Sequence, residues 1–163
     1  DYVYELLARV YLGLELPDKA LEAVERVPEA QRRPYFRWTE ADVLCALDRH
    51  AQAKDVLQAC IQRDRRARHK GLLRLCRIEY LLAEYAQAAA HAAEADRFFR
   101  QQWRNACSEA LFWQALSAFR SGTIGPARQA AEELRAFQPN YPKLDRLLAL
   151  LAEQGGSHDP NTR

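Results

Sequence analysis

The sequence predicts an all-α solenoid of four helical hairpins closed by a C-terminal capping helix. Three observations predict it: small residues recur with a period of about 34 residues, prolines stand where helices would begin, and the last apolar segment is amphipathic. A single helical hairpin cannot bury its own apolar face, so neighbouring hairpins must stack on one another.

The repeat is defined by small residues at three positions of each hairpin. An alanine lies early in every second helix, a small residue lies twelve positions before it, and a small or aliphatic residue lies seven positions after it. The three sets are Ala20, Ala53, Ala88 and Ala127; Ala8, Ala41, Cys76 and Ala115; and Val27, Cys60, Ala95 and Leu134. Helices approach to about 8–10 Å where the side chains at the crossing are small. These twelve anchor residues are therefore predicted to lie at helix crossings.

The anchors and the prolines divide the chain into units at about 1–33, 34–67, 68–103 and 104–140, within one array that covers 1–154. Pro17, Pro126 and Pro142 are predicted to occupy first helical positions, where proline is tolerated. The predicted helices are 2–14, 17–28, 34–47, 50–66, 69–83, 85–101, 104–121 and 126–137. The wider spacing after Ala88 predicts a longer second helix and loop in the third unit, around 97–105.

A ninth helix is predicted at 142–153. Its apolar residues are Leu144, Leu147, Leu148 and Leu151, and its polar residues are Lys143, Asp145, Arg146 and Glu153. One apolar face opposite a charged face is the pattern of a helix that closes the end of a solenoid. The polar segment 155–163 is predicted to be disordered.

Composition excludes several classes of protein. Hydrophobic residues make up 48% of the chain, enough for a core, and the formal net charge of +2 is too small to require a polyanionic partner. The sequence contains no apolar run long enough for a membrane span and no signal peptide. It starts at Asp1, directly on the first helix, so we expect a piece of a larger protein that lacks its native N-terminus. The cysteine pattern discussed below favours the cytoplasm as its compartment.

These residues resemble the tetratricopeptide repeat (TPR) family. In the first hairpin the matching positions are Leu7, Ala8, Tyr11 and Ala20. In the last hairpin they are Ala115, Gly122, Ala127 and Pro139, within SGTIGPARQAAEELRAFQPN. The middle hairpins are looser, since Glu79 occupies a family aromatic position. The resemblance covers roughly residues 1–140 and implies a right-handed superhelix.

The resemblance also implies a binding groove, because the first helix of each TPR hairpin lines the concave face. Projected onto this sequence, the partner-binding residues are Arg9, Tyr35, Trp38, Asp42, Lys70, Arg74, Arg77, Phe112, Trp113 and Arg120. Tyr2, Glu5, Thr39 and Glu109 accompany them. Aromatic and arginine side chains carry much of the energy of protein interfaces, although burial between hairpins is the alternative role for Trp38, Phe112 and Trp113.

Two of these residues resemble part of a more specific site. Chaperone-binding members of the family clamp a C-terminal carboxylate with a Lys and an Arg on the third unit, and Lys70 and Arg74 match that pair in position and spacing. Glu5, Arg9 and Thr39 stand where those members have Lys, Asn and Asn. The resemblance therefore implies an acidic or carboxylate contact at Lys70 and Arg74 without the complete clamp.

The sequence assembles neither a catalytic site nor a metal site. Cys45, Cys60, Cys76 and Cys107 form no Cys-x-x-Cys pair, and no histidine lies at zinc-ligand spacing from them. Free buried thiols in a reducing compartment are the favoured interpretation, while the even number leaves a disulfide open. His91 and Glu94 lack a second ligand pair, and there is no phosphate loop or Gly-x-Ser-x-Gly elbow.

The sequence thus predicts a non-catalytic scaffold or adaptor that binds a peptide or helix of a partner protein without a cofactor. Three alternatives stay open: a secretion-type chaperone for a client protein, a regulatory module that uses the basic segment 63–77, and self-assembly through the convex face or the ends. The basic segment, RDRRARHKGLLRLCR, has no accompanying nucleic-acid motif, which disfavours nucleic acid as the partner. The sequence does not define the oligomeric state.

Overall fold

The computed structural model describes residues 1–155, and this part of the chain is helical throughout its regular structure. Its helices are α1 (Tyr2–Gly13), α2 (Pro17–Glu25), α3 (Pro34–Ala46), α4 (His50–Ile61), α5 (Arg68–Leu81), α6 (Tyr85–Trp103), α7 (Ser108–Arg120), α8 (Ile124–Phe137) and α9 (Leu144–Gly155), with a short 3-10 helix at Glu29–Gln31. The prediction of an all-α helical-repeat fold is confirmed. The tail predicted to be disordered lies outside the described residues, apart from Gly155, which ends α9.

Several predicted helix ends were wrong, and side chains explain two of them. The fourth helix ends at Ile61 because the Asp64 carboxylate accepts hydrogen bonds from the backbone N–H groups of Arg66 (3.1 Å) and Ala67 (2.8 Å). Such local bonds compete with the helix for backbone donors. The seventh helix begins at Ser108 rather than at 104, since the Cys107 N–H donates to the Asp96 carboxylate at 2.8 Å.

Backbone conformation explains the other shifted ends. Pro28 disfavours a helical conformation at the residue before it, so α2 ends at Glu25. Lys143 has a φ of 66°, which delays α9 to Leu144. The eighth helix begins at Ile124, so Pro126 is its third residue and not its first. Proline is tolerated there too, because the first-turn N–H groups have no acceptor within the helix.

The chain divides into two compact units, of which the first is Asp1–Leu82 and the second begins at Ala83. In the first unit, α1 pairs with α2 and α3 with α4, while α3 also packs on α1 and α2, and α5 packs on α3 and α4. The core between the two hairpins consists of Ala8, Ala20, Ala23, Val24, Val27, Phe36 and Val43.

In the second unit, α7 packs between α6 and α8, and α9 packs on α7 and α8. The buried core residues are Leu111, Ala115, Ala118, Ala127, Ala130, Ala131, Leu134, Leu144, Leu147 and Leu151. Three leucines of α9 belong to this core, so the C-terminal helix covers the α7–α8 pair as the sequence predicted.

All twelve anchor residues are buried, and none is more than 7% exposed. A less expected regularity lies seven residues after the anchor in the first helix of each hairpin, that is, after Ala8, Ala41, Cys76 and Ala115. There the backbone adopts a positive φ in all four turns: Glu15 (58°), Asp48 (57°), Ala83 (60°) and Gly122 (82°). The same turn geometry thus closes every hairpin, although glycine, the residue best suited to it, is present only in the last.

The last turn offers a clean test of this geometry. We expect Gly122→Ala to lower the free energy of unfolding by about 1 kcal/mol, because the left-handed conformation disfavours a Cβ by about 1–2 kcal/mol and the lower entropy of the unfolded alanine chain offsets only part of this. The measurement is urea denaturation followed by circular dichroism.

The matched control is Gly125→Ala in the first turn of α8. A Cβ at either glycine would have no neighbour within 4 Å, so the two substitutions differ in backbone conformation and not in steric clash. We expect Gly125→Ala to be neutral or stabilising by up to about 1 kcal/mol. Equal effects of the two substitutions would contradict the assigned turn.

Candidate functional site

The clearest candidate site is a trough of about 340 Å³ in the first unit, which we call the first-unit groove. Its lining consists of Tyr2, Glu5 and Arg9 from α1, Tyr35, Trp38, Thr39 and Asp42 from α3, and Lys70 and Arg74 from α5. The three helices are the first helices of successive hairpins and pack side by side. Six of the ten predicted partner-binding residues, Arg9, Tyr35, Trp38, Asp42, Lys70 and Arg74, therefore line one surface.

Trp38 lines the first-unit groove beside two cations of α5. Its ring centroid is 5.9 Å from the Lys70 ammonium and 5.6 Å from the Arg74 guanidinium carbon, both within the range of cation–π attraction. Its indole N–H is buried and has no acceptor among residues 1–155. The tryptophan is thus held by α5 while part of its ring surface faces the groove.

Helix α5 comes close to Trp38 because Gly71 has no side chain. A Cβ at Gly71 would lie 2.8 Å from Cγ1 of Ile61 and 3.4 Å from the indole nitrogen of Trp38. The first of these distances is too short for two carbon atoms. Gly71 therefore sets the separation of α5 from α3 and α4, and with it the width of the groove beside Trp38.

Arg74 is tied to Asp42 across the two helices. Its Nε–H donates to both carboxylate oxygens, at 3.0 and 3.1 Å, and one terminal nitrogen donates to the Lys70 carbonyl at 3.3 Å. Burial raises the pKa of Asp42 above its ordinary value, and the nearby arginines only partly oppose this. Partly exposed pairs of this kind contribute about 1 kcal/mol or less, so the pair orients Arg74 more than it stabilises the fold.

A second polar pair joins α1 to α3 at the other side of the groove. The Thr39 hydroxyl donates to the Glu5 carboxylate at 2.8 Å, and both residues are buried. Arg9, which is largely exposed, lies 3.9 Å from the same carboxylate. Glu5, Arg9 and Thr39, which depart from the chaperone-binding TPR pattern, thus interact with one another. The Glu5 carboxylate has its partners within the protein.

The remaining predicted residues lie outside this groove. Arg77 is exposed on α5, one turn after Arg74. Its positive charge favours the ionised Asp42 carboxylate and so opposes part of the rise in the Asp42 pKa that burial causes. In the second unit, Phe112 packs on the core of that unit with its ring 5.2 Å from that of Tyr141 and 6.1 Å from that of Trp113. Arg120 stacks on Tyr85 at 5.0 Å and donates to its hydroxyl at 2.9 Å.

Several residues of the basic segment 63–77 take part in the fold. Asp64 within it is buried and stabilises the turn before α5, Gly71 packs against Ile61, and Arg74 pairs with Asp42. Arg63, Arg65, Arg66, Lys70 and Arg77 of the same segment are exposed.

A pocket that the sequence analysis missed lies beside the 3-10 helix of the first unit. It has a volume of about 500 Å³ and is lined by Glu29, Ala30, Arg32, Pro34, Arg37, Ala59, Cys60 and Arg63. Glu40 accepts from Arg32 at 2.7 Å and from Arg37 at 3.0 Å, and Arg37 also pairs with Glu29. The ion pairs beside this pocket could have been anticipated from the sequence, because Arg37 and Glu40 carry opposite charges and lie three residues apart on α3.

The cysteines are free thiols, as predicted, with Cys60, Cys76 and Cys107 buried and Cys45 half-buried. Among residues 1–155, no group of three or more His, Cys, Asp or Glu side chains is arranged to hold a metal ion. Within the same residues, no helix combines the length and the apolar character needed to cross a bilayer.

Comparison of the sequence with protein-family models and with curated proteins finds no match. Comparison of the structure finds ten matching chains among solved structures. One of them, the MamA RS-1 ArsTM double mutant, matches with a TM-score of 0.69 at 12% sequence identity, over 98% of this chain and 97% of that chain. MamA contains tetratricopeptide repeats, so the likeness shows a TPR-like helical-repeat fold.

The close approach at Gly71 predicts the effect of a methyl group there. We expect Gly71→Ala to lower the free energy of unfolding by about 1–2 kcal/mol, because forced displacement of Ile61 and Trp38 outweighs the gain of about 1 kcal/mol in helix propensity. Urea denaturation measures the stability, and a shift of tryptophan emission reports the displaced indole. The control is Gly13→Ala, where a Cβ meets no atom within 4 Å; equal effects at both positions would refute the assigned contact.

The electrostatics of the groove predict the reactivity of Cys45, which lies one turn after Asp42 on α3. Burial, with a smaller contribution from the Asp42 charge, raises the pKa of the Cys45 thiol from 9.0 to about 11. Because the thiolate is the reactive form, we expect the rate of alkylation by iodoacetamide to keep rising with pH above 9, as followed by peptide mass spectrometry.

Asp42→Asn removes the negative charge and should move this rate profile to lower pH. Asp48→Asn, an exposed carboxylate on the following turn, is the control that should leave the profile in place. A profile that levels off near pH 9 in the unaltered protein would contradict the burial of the thiol.

Proposed function

We propose that this protein is a non-catalytic scaffold or adaptor, and that the first-unit groove binds an extended or helical segment of a partner protein. The observation that carries the proposal is that three successive first helices place aromatic rings and cations around one trough. Tyr2, Tyr35 and Trp38 provide the rings, and Arg9, Lys70 and Arg74 provide the cations. A TPR-like fold is consistent with this role but does not fix it, since one fold serves many functions.

The charge balance of the groove favours a partner with acidic residues. Glu5 accepts the Thr39 hydroxyl, and Asp42 accepts Arg74, so both carboxylates have partners within the protein. No carboxylate among residues 1–155 lies within ion-pair distance of the Lys70 ammonium, which is exposed beside Trp38. Lys70 is thus the cation best placed to bind a carboxylate of the partner. Arg74 lies beside it and is oriented by Asp42.

Trp38 is the anchor we expect to contribute most binding energy. Tryptophan, tyrosine and arginine dominate the energetics of protein interfaces, above all where neighbouring contacts exclude water. Trp38 is prepared for this role because α5 holds it on one side through Gly71, Lys70 and Arg74. A preformed anchor loses little side-chain entropy on binding.

In the second unit, Phe112, Trp113 and Arg120 are candidate partner contacts in their own right, apart from the first-unit groove. Arg120 is exposed and oriented by Tyr85, whereas Phe112 serves partly as core. We therefore assign the main recognition to the first unit. The chaperone function remains an alternative form of the same binding, in which the bound segment is an amphipathic helix of a client.

The proposal is tested by selecting ligands from a peptide library and measuring their affinity by fluorescence polarisation. We expect enriched peptides to combine acidic with aromatic or aliphatic residues, and Lys70→Glu and Trp38→Ala each to weaken binding by at least about tenfold, or 1.4 kcal/mol. Lys70→Glu is preferable to a change at Arg74, which would also leave Asp42 without its partner.

The matched control is Lys19→Glu, which makes the same change of charge on α2, away from the first-unit groove. It should leave the affinity unchanged. Equal loss with Lys19→Glu and Lys70→Glu would indicate attraction by overall charge instead of a site. Binding of heparin or RNA with a steep dependence on salt, but no selected peptide, would support the nucleic-acid alternative.

A further inference from the structure

The pocket of about 500 Å³ beside the 3-10 helix is a second candidate site, which we call the α3–α4 pocket. The 3-10 helix and the start of α3 form one side of it, and the end of α4 forms the other. It has no lining residue in common with the first-unit groove. Cavities of about 300–1,000 Å³ that combine apolar walls with a few polar groups are typical of small-molecule sites.

One part of the pocket wall carries no charge. It consists of Ala30 and Pro34 on one side and of Ala59 and Cys60 on α4. Burial, with a smaller contribution from the Asp64 charge, raises the pKa of the Cys60 thiol from 9.0 to about 11, so the thiol is protonated at neutral pH. A protonated, buried cysteine behaves as a small apolar residue. This part of the wall can therefore contact the hydrocarbon body of a ligand.

Two guanidinium groups line the pocket in a fixed orientation. The buried Glu40 carboxylate accepts from Arg32 at 2.7 Å and from Arg37 at 3.0 Å. The Arg32 Nε–H also donates to the Val27 carbonyl at 2.9 Å. The two arginine side chains are only 12% and 17% exposed. Since a guanidinium has five N–H donors, these bonds leave donors on both groups for a ligand.

The position of Glu29 indicates where an anion can bind. One terminal nitrogen of Arg37 donates to the Glu29 carboxylate at 3.0 Å and to the Glu29 carbonyl at 3.1 Å. The Glu29 side chain is 78% exposed, and an ion pair with so exposed a partner contributes little stability. A ligand carboxylate can therefore replace that of Glu29 on Arg37 while the Glu29 side chain turns into solvent.

The unpaired charge at the pocket is positive. Arg63 lines it, is exposed, and forms no ion pair among residues 1–155. The neighbouring carboxylate of Asp64 is buried and accepts hydrogen bonds from two backbone N–H groups, so it is stabilised without Arg63. The Arg63 guanidinium is thus available to a second oxygen of an anion bound at Arg37.

We propose that the α3–α4 pocket binds a small organic carboxylate of about the size of hexanoate or phenylacetate. Its carboxylate replaces Glu29 on Arg37, and its hydrocarbon body lies against Ala30, Pro34 and Cys60. A phosphate dianion suits the pocket less well, because the Glu40 carboxylate is bonded to the same two arginines and repels a second negative charge. The first-unit groove shares no residue with this site, so the inference does not depend on the function proposed above.

The test is isothermal titration calorimetry of the whole chain with hexanoate and phenylacetate, together with backbone amide shifts measured by NMR. We expect a Kd of about 1 mM or tighter, with shifts at Ala30, Ala59 and Cys60. Hexanamide and phenylacetamide keep the hydrocarbon body but lack the charge, so they should not bind. Acetate and sulfate lack the apolar body and should bind at least about tenfold more weakly.

Three variants separate this site from general attraction by charge. Glu29→Gln removes the competing carboxylate, so we expect it to tighten binding by about two- to fivefold. Ala59→Trp places a large side chain at an exposed position of the wall; it should abolish binding and keep the circular dichroism of the unaltered protein. Glu22→Gln removes an exposed carboxylate of α2 that does not line this pocket, and this matched control should leave the affinity unchanged.

Several outcomes would overturn the proposal. They are no binding of either acid, equal affinity for the acids and their amides, equal affinity for the acids and sulfate, and equal effects of Glu29→Gln and Glu22→Gln. Binding that survives Ala59→Trp would also place the ligand elsewhere. An acidic peptide that shifts the amides of Ala30 and Cys60, when neither small acid binds, would assign the pocket to a partner protein instead.

Discussion

Close approach of helices through small side chains is the constraint from which the rest of this structure follows. Each hairpin has a small residue in both helices at the same register, and these residues are buried without exception. In the first unit, the short separation lets α1 pack against α3 and α3 against α5, which places these three first helices side by side. Gly71 is the extreme case, since even a methyl group would collide there.

The side chains of the first-unit groove are held in place by contacts within the protein. Asp42 fixes Arg74, Thr39 fixes Glu5, and the cations of α5 flank Trp38. These polar contacts add little stability, because the Asp42–Arg74 pair is partly exposed to water. Their effect is to remove conformational freedom from side chains that would otherwise have to be ordered on binding of the partner we propose. The fold and the groove are therefore linked by the same helix spacing.

The sequence predicted the features that depend on periodicity and missed those that depend on contacts between distant residues. The anchors and the capping helix follow from register, whereas the residues that line the first-unit groove were listed only because the TPR resemblance places first helices at a groove. The bond between Arg74 and Asp42 joins two helices, and the sequence offers no local sign of it. The predicted end of α4 and the predicted start of α7 were wrong because Asp64 and Asp96 accept hydrogen bonds from backbone N–H groups. A pattern of apolar residues does not reveal these bonds.

The four left-handed turns have a consequence for how this fold diverges. What recurs at these turns is a backbone conformation, and it is adopted by a glutamate, an aspartate, an alanine and a glycine. The energetic difference among these residues is small beside the packing of the anchors, so the turn positions are free to drift during evolution. Relatives of this chain should then be easier to recognise by the conformation of the main chain at these turns than by the amino-acid sequence there.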